Sequence, residues 1–198
     1  MDIVFATNNL HKLEEISAIL DTRYKLLGLK DLDIREDIPE DFDTLEENAS
    51  QKAWYIYDKT GLNCFADETG LEVDALDGAQ GVYSARYSRL GELTFPQMEA
   101  AEGNIKKLLI QMENEDNRKA RFRTVIALIM DGKEYQFTGM VMGEIMRSVH
   151  GSKGFGYDPV FKPDGYACSF AEMDLPEKNQ ISHRARAAQK LVQKLGDM

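Results

Sequence analysis

Cysteine is nearly absent from this chain. Cys64 and Cys168 are the only two, they lie far apart, and neither has a metal-ligand residue beside it. That usage argues against a disulfide framework or a cysteine zinc site, and both residues read as buried thiols. Long apolar runs are missing too: none approaches the roughly 20 residues that a membrane-spanning helix needs, so no membrane partner is expected. Met1 Asp2 Ile3 Val4 has no basic segment ahead of an apolar stretch. A secretory leader is therefore not read there, and the cytoplasm is the expected compartment. Positive charge is in deficit, with 24 Lys and Arg against 34 Asp and Glu, a net charge of −10. Proteins that coat nucleic acid rely on many cations to neutralise phosphates, so a nucleic-acid partner is not expected. A nucleotide ligand stays open, because screening limits exposed charges to about 8 Å and a local cation cluster decides what happens inside a cleft. The phosphate loop of the P-loop enzymes is absent, and no glycine-flanked nucleophile elbow surrounds Ser84 or Ser182.

What is present suits one domain, 1–198, with a substantial core: 43% of the 198 residues are hydrophobic and 29% are charged. An apolar strand, Ile3 to Ala6, runs into Thr7, Asn8, Asn9, Leu10, His11 and Lys12 and then a helix. Leu13, Ile16, Ile19 and Leu20 recur at helical spacing and share a buried face, which leaves Lys12, Glu14 and Glu15 on the surface. Tyr24 to Leu29 reads as a second strand, and Asp31 to Asp43 as an acidic connection. Thr44 with Glu47 forms a capping box for a helix running to about Lys59, with Leu45, Ala49, Ala53 and Ile56 inward and Gly61 as its stop. A short strand from Leu62 is expected to end abruptly at Asp67, Glu68, Thr69 and Gly70, placing two carboxylates at a strand's carboxyl end. Asp74 to Gly91 reads as a loop, and Thr94, Pro96 and Gln97 as the opening of a helix that carries Met98, Ala101, Ile105, Leu108 and Leu109. Arg121 to Met130 and Tyr135 to Met146 read as an antiparallel pair around the Asp131 Gly132 turn, so the sheet is mixed. Gly151, Gly154 and Gly156 make a flexible loop, and a helix from about Arg184 to Leu195 closes the chain.

Five polar clusters carry the candidate chemistry. The strand-to-helix turn at Thr7, Asn9 and Lys12 offers backbone donors, a hydroxyl, an amide and an ammonium to an anion, the competing reading being a plain helix cap. Asn48 and Lys52 lie one turn apart beside Glu40 and Glu47, so the lysine can reach a phosphate unless that face is simply solvated. Asp67 and Glu68 can hold a hard cation and activate water, or can be turn residues. Phe155 and Tyr157 flank Gly156 and can sandwich a planar base whose ring N–H groups Asp158 accepts, unless both rings plug the core. Lys178, Ser182, His183 and Arg184 gather donors at a helix start that suit a carbonyl oxygen or phosphate, with Ser182 as a plain N-cap the alternative.

In their order and spacing these segments resemble the inosine triphosphate pyrophosphatase family, the non-canonical purine nucleoside triphosphate pyrophosphatases. The likeness runs through Thr7, Asn9, Lys12 and Glu15; Glu47 Asn48 Ala49 with Lys52; Ala66 Asp67 Glu68 Thr69 Gly70 Leu71; Gly81 Val82 Tyr83 Ser84 Ala85 Arg86 Tyr87; Gly154 Phe155 Gly156 Tyr157 Asp158 Pro159; and Ile181 Ser182 His183 Arg184. The resemblance implies an α/β fold with a mixed, partly antiparallel sheet, flanking helices and two lobes around a central substrate cleft. It also implies a homodimer that uses Mg2+ to convert ITP, dITP or XTP into the monophosphate and pyrophosphate. Carried over by position, phosphate contacts fall on Thr7, Asn8, Asn9, Lys12 and Lys52, the metal site on Glu40, Asp67 and Glu68, and a further substrate contact on Thr69. Phe155, Gly156 and Tyr157 then meet the base, Asp158 its edge, and Lys178, His183 and Arg184 the base and its oxygen.

The implied mechanism is in-line attack of a magnesium-activated water on the α-phosphorus, with Glu68 or Asp67 as base and the lysines spreading transition-state charge. Two positions depart from the family pattern. Glu68 stands where an aspartate is usual, extending the carboxylate by ~1.5 Å, and about 1 Å of misplacement can cost ~100-fold in rate. Gln80 stands where a proline is common in the loop before Ser84. Rival readings are a pyrophosphatase for modified pyrimidine triphosphates, of the septum-inhibitor type, and a non-catalytic nucleotide sensor.

Overall fold

The computed structural model describes residues 1–78 and 81–197. Gln80 therefore lies outside the described residues. Six strands, β1 (Asp2–Phe5), β2 (Lys25–Gly28), β3 (Cys64–Val73), β4 (Lys119–Met130), β5 (Lys133–Ile145) and β6 (Phe161–Pro163), follow the order β2-β1-β3-β4-β5-β6. The helices are α1 (Leu10–Ser17), α2 (Leu45–Thr60), α3 (Ala100–Gln111), α4 (Leu175–Ile181) and α5 (His183–Gly196). The sheet is mixed, as expected. β1 runs parallel to β2 and to β3, whereas β5 and β6 are antiparallel. None of the described helices is long and apolar enough to cross a membrane.

The chain forms two compact units. The first takes residues 1–69, 124–140 and the segment from Ser182 onward; the second takes 70–123 and 141–181. In the first unit, Val4 and Phe5 of β1 pair with Cys64 and Phe65 of β3, and the Phe5 and Phe65 rings stack 4.6 Å apart. Ile16 of α1 and Ala187, Ala188, Leu191 and Leu195 of α5 bury their apolar stripes in the same core. Gly139 of β5 lets α5 approach this closely, because a Cβ there would lie 2.1 Å from the His183 carbonyl oxygen and 2.5 Å from the Ala187 nitrogen. In the second unit, Phe122, Phe161 and Phe170 pack with Leu71, Leu108, Met112 and Val160 into a separate core.

Several local expectations hold. Thr44 caps α2 by accepting from Glu47 N while donating to the Glu47 carboxylate at 2.7 Å, and Gly61 ends the helix with φ of 68°. Leu45, Ala49, Ala53 and Ile56 are buried. Asp131 and Gly132 take the positive φ values, 50° and 74°, that a tight β-hairpin demands. Cys64 is a buried thiol as expected, whereas Cys168 is only half-buried.

Others are corrected. β3 does not stop before Asp67 but continues through it to Val73, because Leu71 and Val73 restore the buried face and the Asp67 charge is matched by cations in place. Two acids inside a strand mimic a turn signal when their partners are distant in sequence. Glu15 is buried rather than surface-exposed, facing Arg184. α3 starts at Ala100, so Thr94 to Met98 precede it, and the stretch expected as loop contains short 3-10 segments at Asp74–Leu76 and Gly81–Arg89.

Candidate active site

The first unit gathers Lys12, Glu15, Asp67 and Arg184 into one set of ion pairs, with Thr69 hydrogen-bonded to it, and Lys52, Glu40 and Glu68 into another. Asp67 sits at the centre of the first. Its Oδ1 accepts from Lys12 Nζ at 2.7 Å and its Oδ2 from Arg184 Nε at 3.0 Å. The Arg184 guanidinium extends further, pairing through Nη1 with Glu15 Oε2 and donating through Nη2 to Thr69 Oγ1 at 3.1 Å. Thr69 Oγ1 in turn lies 2.6 Å from Thr124 Oγ1 of β4. Alongside this chain, Lys52 Nζ donates to Glu68 Oε1 at 2.6 Å and to Glu40 Oε1 at 3.2 Å.

Local sequence explains these placements. Asn9 caps α1, accepting from the His11 and Lys12 amides, and Thr7 Oγ1 accepts from Asn9 N, so Lys12 leaves the first turn aimed at β3. The cap thereby engages two of the amides that the sequence reading offered to an anion. Asn48 pins the acidic connection through paired bonds to Phe42 N and O, both at 2.9 Å, and one turn later Lys52 meets Glu40. Ser182 is the N-cap of α5, accepting from Ala185 N, and this start sets Arg184 in the first turn. Asn8 is exposed beside the cap.

Exposure separates the carboxylates. Side-chain accessibility is 1% for Asp67, 12% for Glu68 and 36% for Glu40, so Glu68 and Glu40 meet solvent while Asp67 does not. Their protonation differs accordingly. Burial works to raise the Asp67 pKa, but the Lys12 and Arg184 charges outweigh it and hold the carboxyl far below the usual range. Burial pushes Glu68 upward, aided by the Glu40 carboxylate and opposed by Lys52 and Lys12. At Glu40, burial is overcome by Lys52 and the carboxyl is lowered. Burial lowers Lys12 against the pull of Asp67, whereas Lys52 is raised because Glu68 and Glu40 outweigh burial. Three cations face four carboxylates here, an excess of one negative charge. Among the described residues, no group of three or more His, Cys, Asp or Glu side chains forms a metal cage.

The second unit holds the aromatic loop. Asp158 Oδ2 accepts from Lys178 Nζ at 2.7 Å and from Phe155 N at 2.9 Å, and the Lys178 ammonium lies 5.1 Å from the Phe155 ring centroid and 5.6 Å from that of Phe170. Gly154 is required twice: its φ is +73°, and a Cβ there would lie 2.2 Å from Asp158 Oδ2. Phe155 and Gly156 are half-buried, but Tyr157 is enclosed in the core with its hydroxyl donating to Ser84 O at 2.9 Å. Burial pushes that phenol far above its ordinary value. His183 is buried at the start of α5 in the first unit. Thr124 is a functional candidate absent from the motifs, and Glu15 stands among the motif residues without an assigned role. Glu15 was legible as an acid three residues from Lys12 and next to buried Ile16, but Thr124 sits in a plain apolar strand and sends no signal.

Fold and site together define an α/β protein in which strand acids are bracketed by lysines and an arginine from helices. The Ham1 family model matches residues 3–194, and the chain belongs to the Ham1 family. The match bears out the resemblance carried by the motifs. The dITP/XTP pyrophosphatase of Flavobacterium johnsoniae is 50% identical over 97% of this chain and 96% of its own length. That of Porphyromonas gingivalis is 52% identical over 96% and 94%. Among solved structures, a HAM1 protein from Coxiella burnetii aligns over all of both chains with a TM-score of 0.88 and 35% identity. The Staphylococcus aureus Ham1 protein gives 0.86 and 36% over 100% of this chain and 99% of its own.

Proposed function

We propose that this protein hydrolyses non-canonical purine nucleoside triphosphates, ITP, dITP and XTP, to the monophosphate and pyrophosphate, cleansing the nucleotide pool. The relatives named dITP/XTP pyrophosphatase support the substrate class. The observation that carries the chemistry is the division of labour between neighbouring acids: Asp67 is paired on both oxygens, whereas Glu68 is partly solvent-exposed with its pKa raised.

A divalent cation fits this donor set. Glu40 Oε1 and Glu68 Oε1 already converge on the single cationic position of Lys52 Nζ. Magnesium takes one or two carboxylates, keeps several waters and draws its remaining ligands from substrate phosphates, so no all-protein cage is needed. Glu40 and Glu68, with Asp67 behind them, are the residues to hold it. When bound, the ion supplies charge neutralisation and acidifies water; the excess negative charge of the cluster gives it a reason to bind before a polyanion does.

The chain's own groups then act as follows. Lys12 and Lys52, with Thr7, Asn8, Asn9 and Thr69, orient the phosphates. Glu68 accepts the proton of the attacking water as its oxygen bonds the α-phosphorus, and the bond from that phosphorus to the bridging oxygen breaks to release pyrophosphate. The family resemblance assigns the base to Phe155, Gly156 and Tyr157, with Asp158 and Lys178 at its polar edge; the Tyr157 hydroxyl is already bonded to Ser84 O. His183 and the backbone donors at the start of α5 select a 6-keto oxygen, since an amino group at that position leaves buried donors unpaired at about 1–3 kcal/mol each. The ion pairs of Arg184 make its part in recognition indirect, through Asp67 and Thr69. The family resemblance also supports reading the protein as a cytoplasmic homodimer.

A pyrophosphate-release assay over ITP, XTP, dITP, GTP, ATP and pyrimidine triphosphates, with and without Mg2+, tests the reading. Metal-dependent turnover that favours ITP and XTP is expected. A preference for ATP contradicts keto recognition, a pyrimidine preference favours the septum-inhibitor chemistry, and binding without release favours a sensor.

A further inference from the structure

Thr124 lies in the middle of β4 with its side chain fully buried, yet it carries a hydroxyl where its neighbours Val125 and Ile126 are apolar. Buried hydroxyl protons are almost always donated. Among the described residues, the partner of Thr124 Oγ1 is Thr69 Oγ1 at 2.6 Å. Arg184 Nη2 donates to that same Thr69 oxygen at 3.1 Å. A hydroxyl has two acceptor sites and one proton. With Arg184 and Thr124 both donating to it, Thr69 has used its acceptor capacity, and its own proton is what remains. That proton is directed to Asp67 Oδ2 at 3.5 Å, the outer limit of a hydrogen bond and so readily exchanged for a closer acceptor.

We infer that Thr124 is a positioning residue that fixes the polarity of Thr69, making it an obligate donor toward an anionic or carbonyl oxygen of the substrate. The inference rests on the reading of Thr69 as a substrate contact. It has a direct consequence for selectivity: a donor held in this way favours a phosphate or keto oxygen and rejects a ligand group that must itself donate. Without the Thr124 oxygen, Thr69 keeps one of the two donors that fix the direction of its proton, and the substrate loses a pre-oriented hydrogen bond.

The test compares Thr124→Ser, which keeps the oxygen, with Thr124→Ala, which differs from serine by that oxygen alone. Steady-state ITP hydrolysis is measured for both in the wild-type and Thr69→Val backgrounds. Thr124→Ala is expected to lower kcat roughly 10-fold or more with KM changed by less than about twofold, while Thr124→Ser stays near wild type. In the Thr69→Val background the difference between serine and alanine vanishes, because the two residues act as one unit. Thr124→Val keeps the side-chain volume and carries the same comparison if alanine fails to fold. Equal kinetics for alanine and serine, or an undiminished difference in the Thr69→Val background, overturns the inference alone. A wild-type chain that releases no pyrophosphate from any triphosphate overturns the proposed function with it.

Discussion

Arg184 Nε donates to Asp67 Oδ2 at 3.0 Å across 117 residues of sequence, so the first turn of α5 holds the acid at the centre of the charged cluster. Asp67 is thereby a fixed anchor, and the neighbouring Glu68 is the group with access to solvent. The two acids should behave differently on neutralisation. Glu68→Gln is expected to reduce kcat by about 10²–10⁴, the usual worth of a general base, with thermal stability and ITP affinity close to wild type. Asp67→Asn removes a charge that two buried cations share and should cost about 3–5 kcal/mol of stability. Calorimetric binding of ITP together with urea denaturation separates the two outcomes; matching profiles for both variants contradict the assignment.

Glu15 belongs to the same buried network through Arg184. Glu15→Gln keeps its shape but leaves the guanidinium with one carboxylate instead of two. A loss of about 3 kcal/mol in urea denaturation is expected, as when one partner of a buried pair is removed. A change below about 0.5 kcal/mol, the range of ordinary surface substitutions, contradicts a structural role for the pair.

Gly139 sets the seat of α5. Adding one methyl there brings carbon against the His183 carbonyl and the Ala187 nitrogen, both backbone atoms that no rotamer change can move aside. Gly139→Ala should therefore shift the helix, cost about 1–3 kcal/mol as overpacking does, and lower kcat by displacing Arg184. Thermal melts and ITP turnover check both parts, and full activity at unchanged stability refutes the close-packing argument.

Burial pushes the Cys64 thiol from its ordinary 9.0 up to about 12. A folded-state pKa above the unfolded one means that the folded chain binds the extra proton. This contribution is complete below pH 9 and is lost progressively as pH rises toward 12. Urea midpoints measured from pH 8 to 10 should fall for wild type more steeply than for Cys64→Ala. Parallel curves contradict the burial argument. Alkylation of Cys64 at pH 8 should likewise require unfolding.

How much could be read in advance depended on the range of the interactions. The Thr44 cap of α2, the Gly61 stop and the Asp131 Gly132 hairpin are written in adjacent residues and appeared as expected, although the Glu47 carboxylate meets the Thr44 hydroxyl and not the backbone N–H of a full capping box. The extent of β3 was misread because what makes an acid tolerable inside a strand, Lys12 and Arg184, lies 55 and 117 residues away. The same distance hid the burial of Glu15, which local periodicity assigned to solvent. The bond of the Tyr157 hydroxyl to Ser84 O, 73 residues away, likewise had no local signal. Motif order located the family; the roles within it required knowing which charged groups meet.

The central claim is attack of water on the α-phosphorus. Hydrolysis of ITP in 18O-labelled water, followed by mass spectrometry of the products, tests it directly. The account predicts one 18O atom in the monophosphate and none in the pyrophosphate. Label recovered in pyrophosphate, or release of inorganic phosphate with a nucleoside diphosphate, contradicts it.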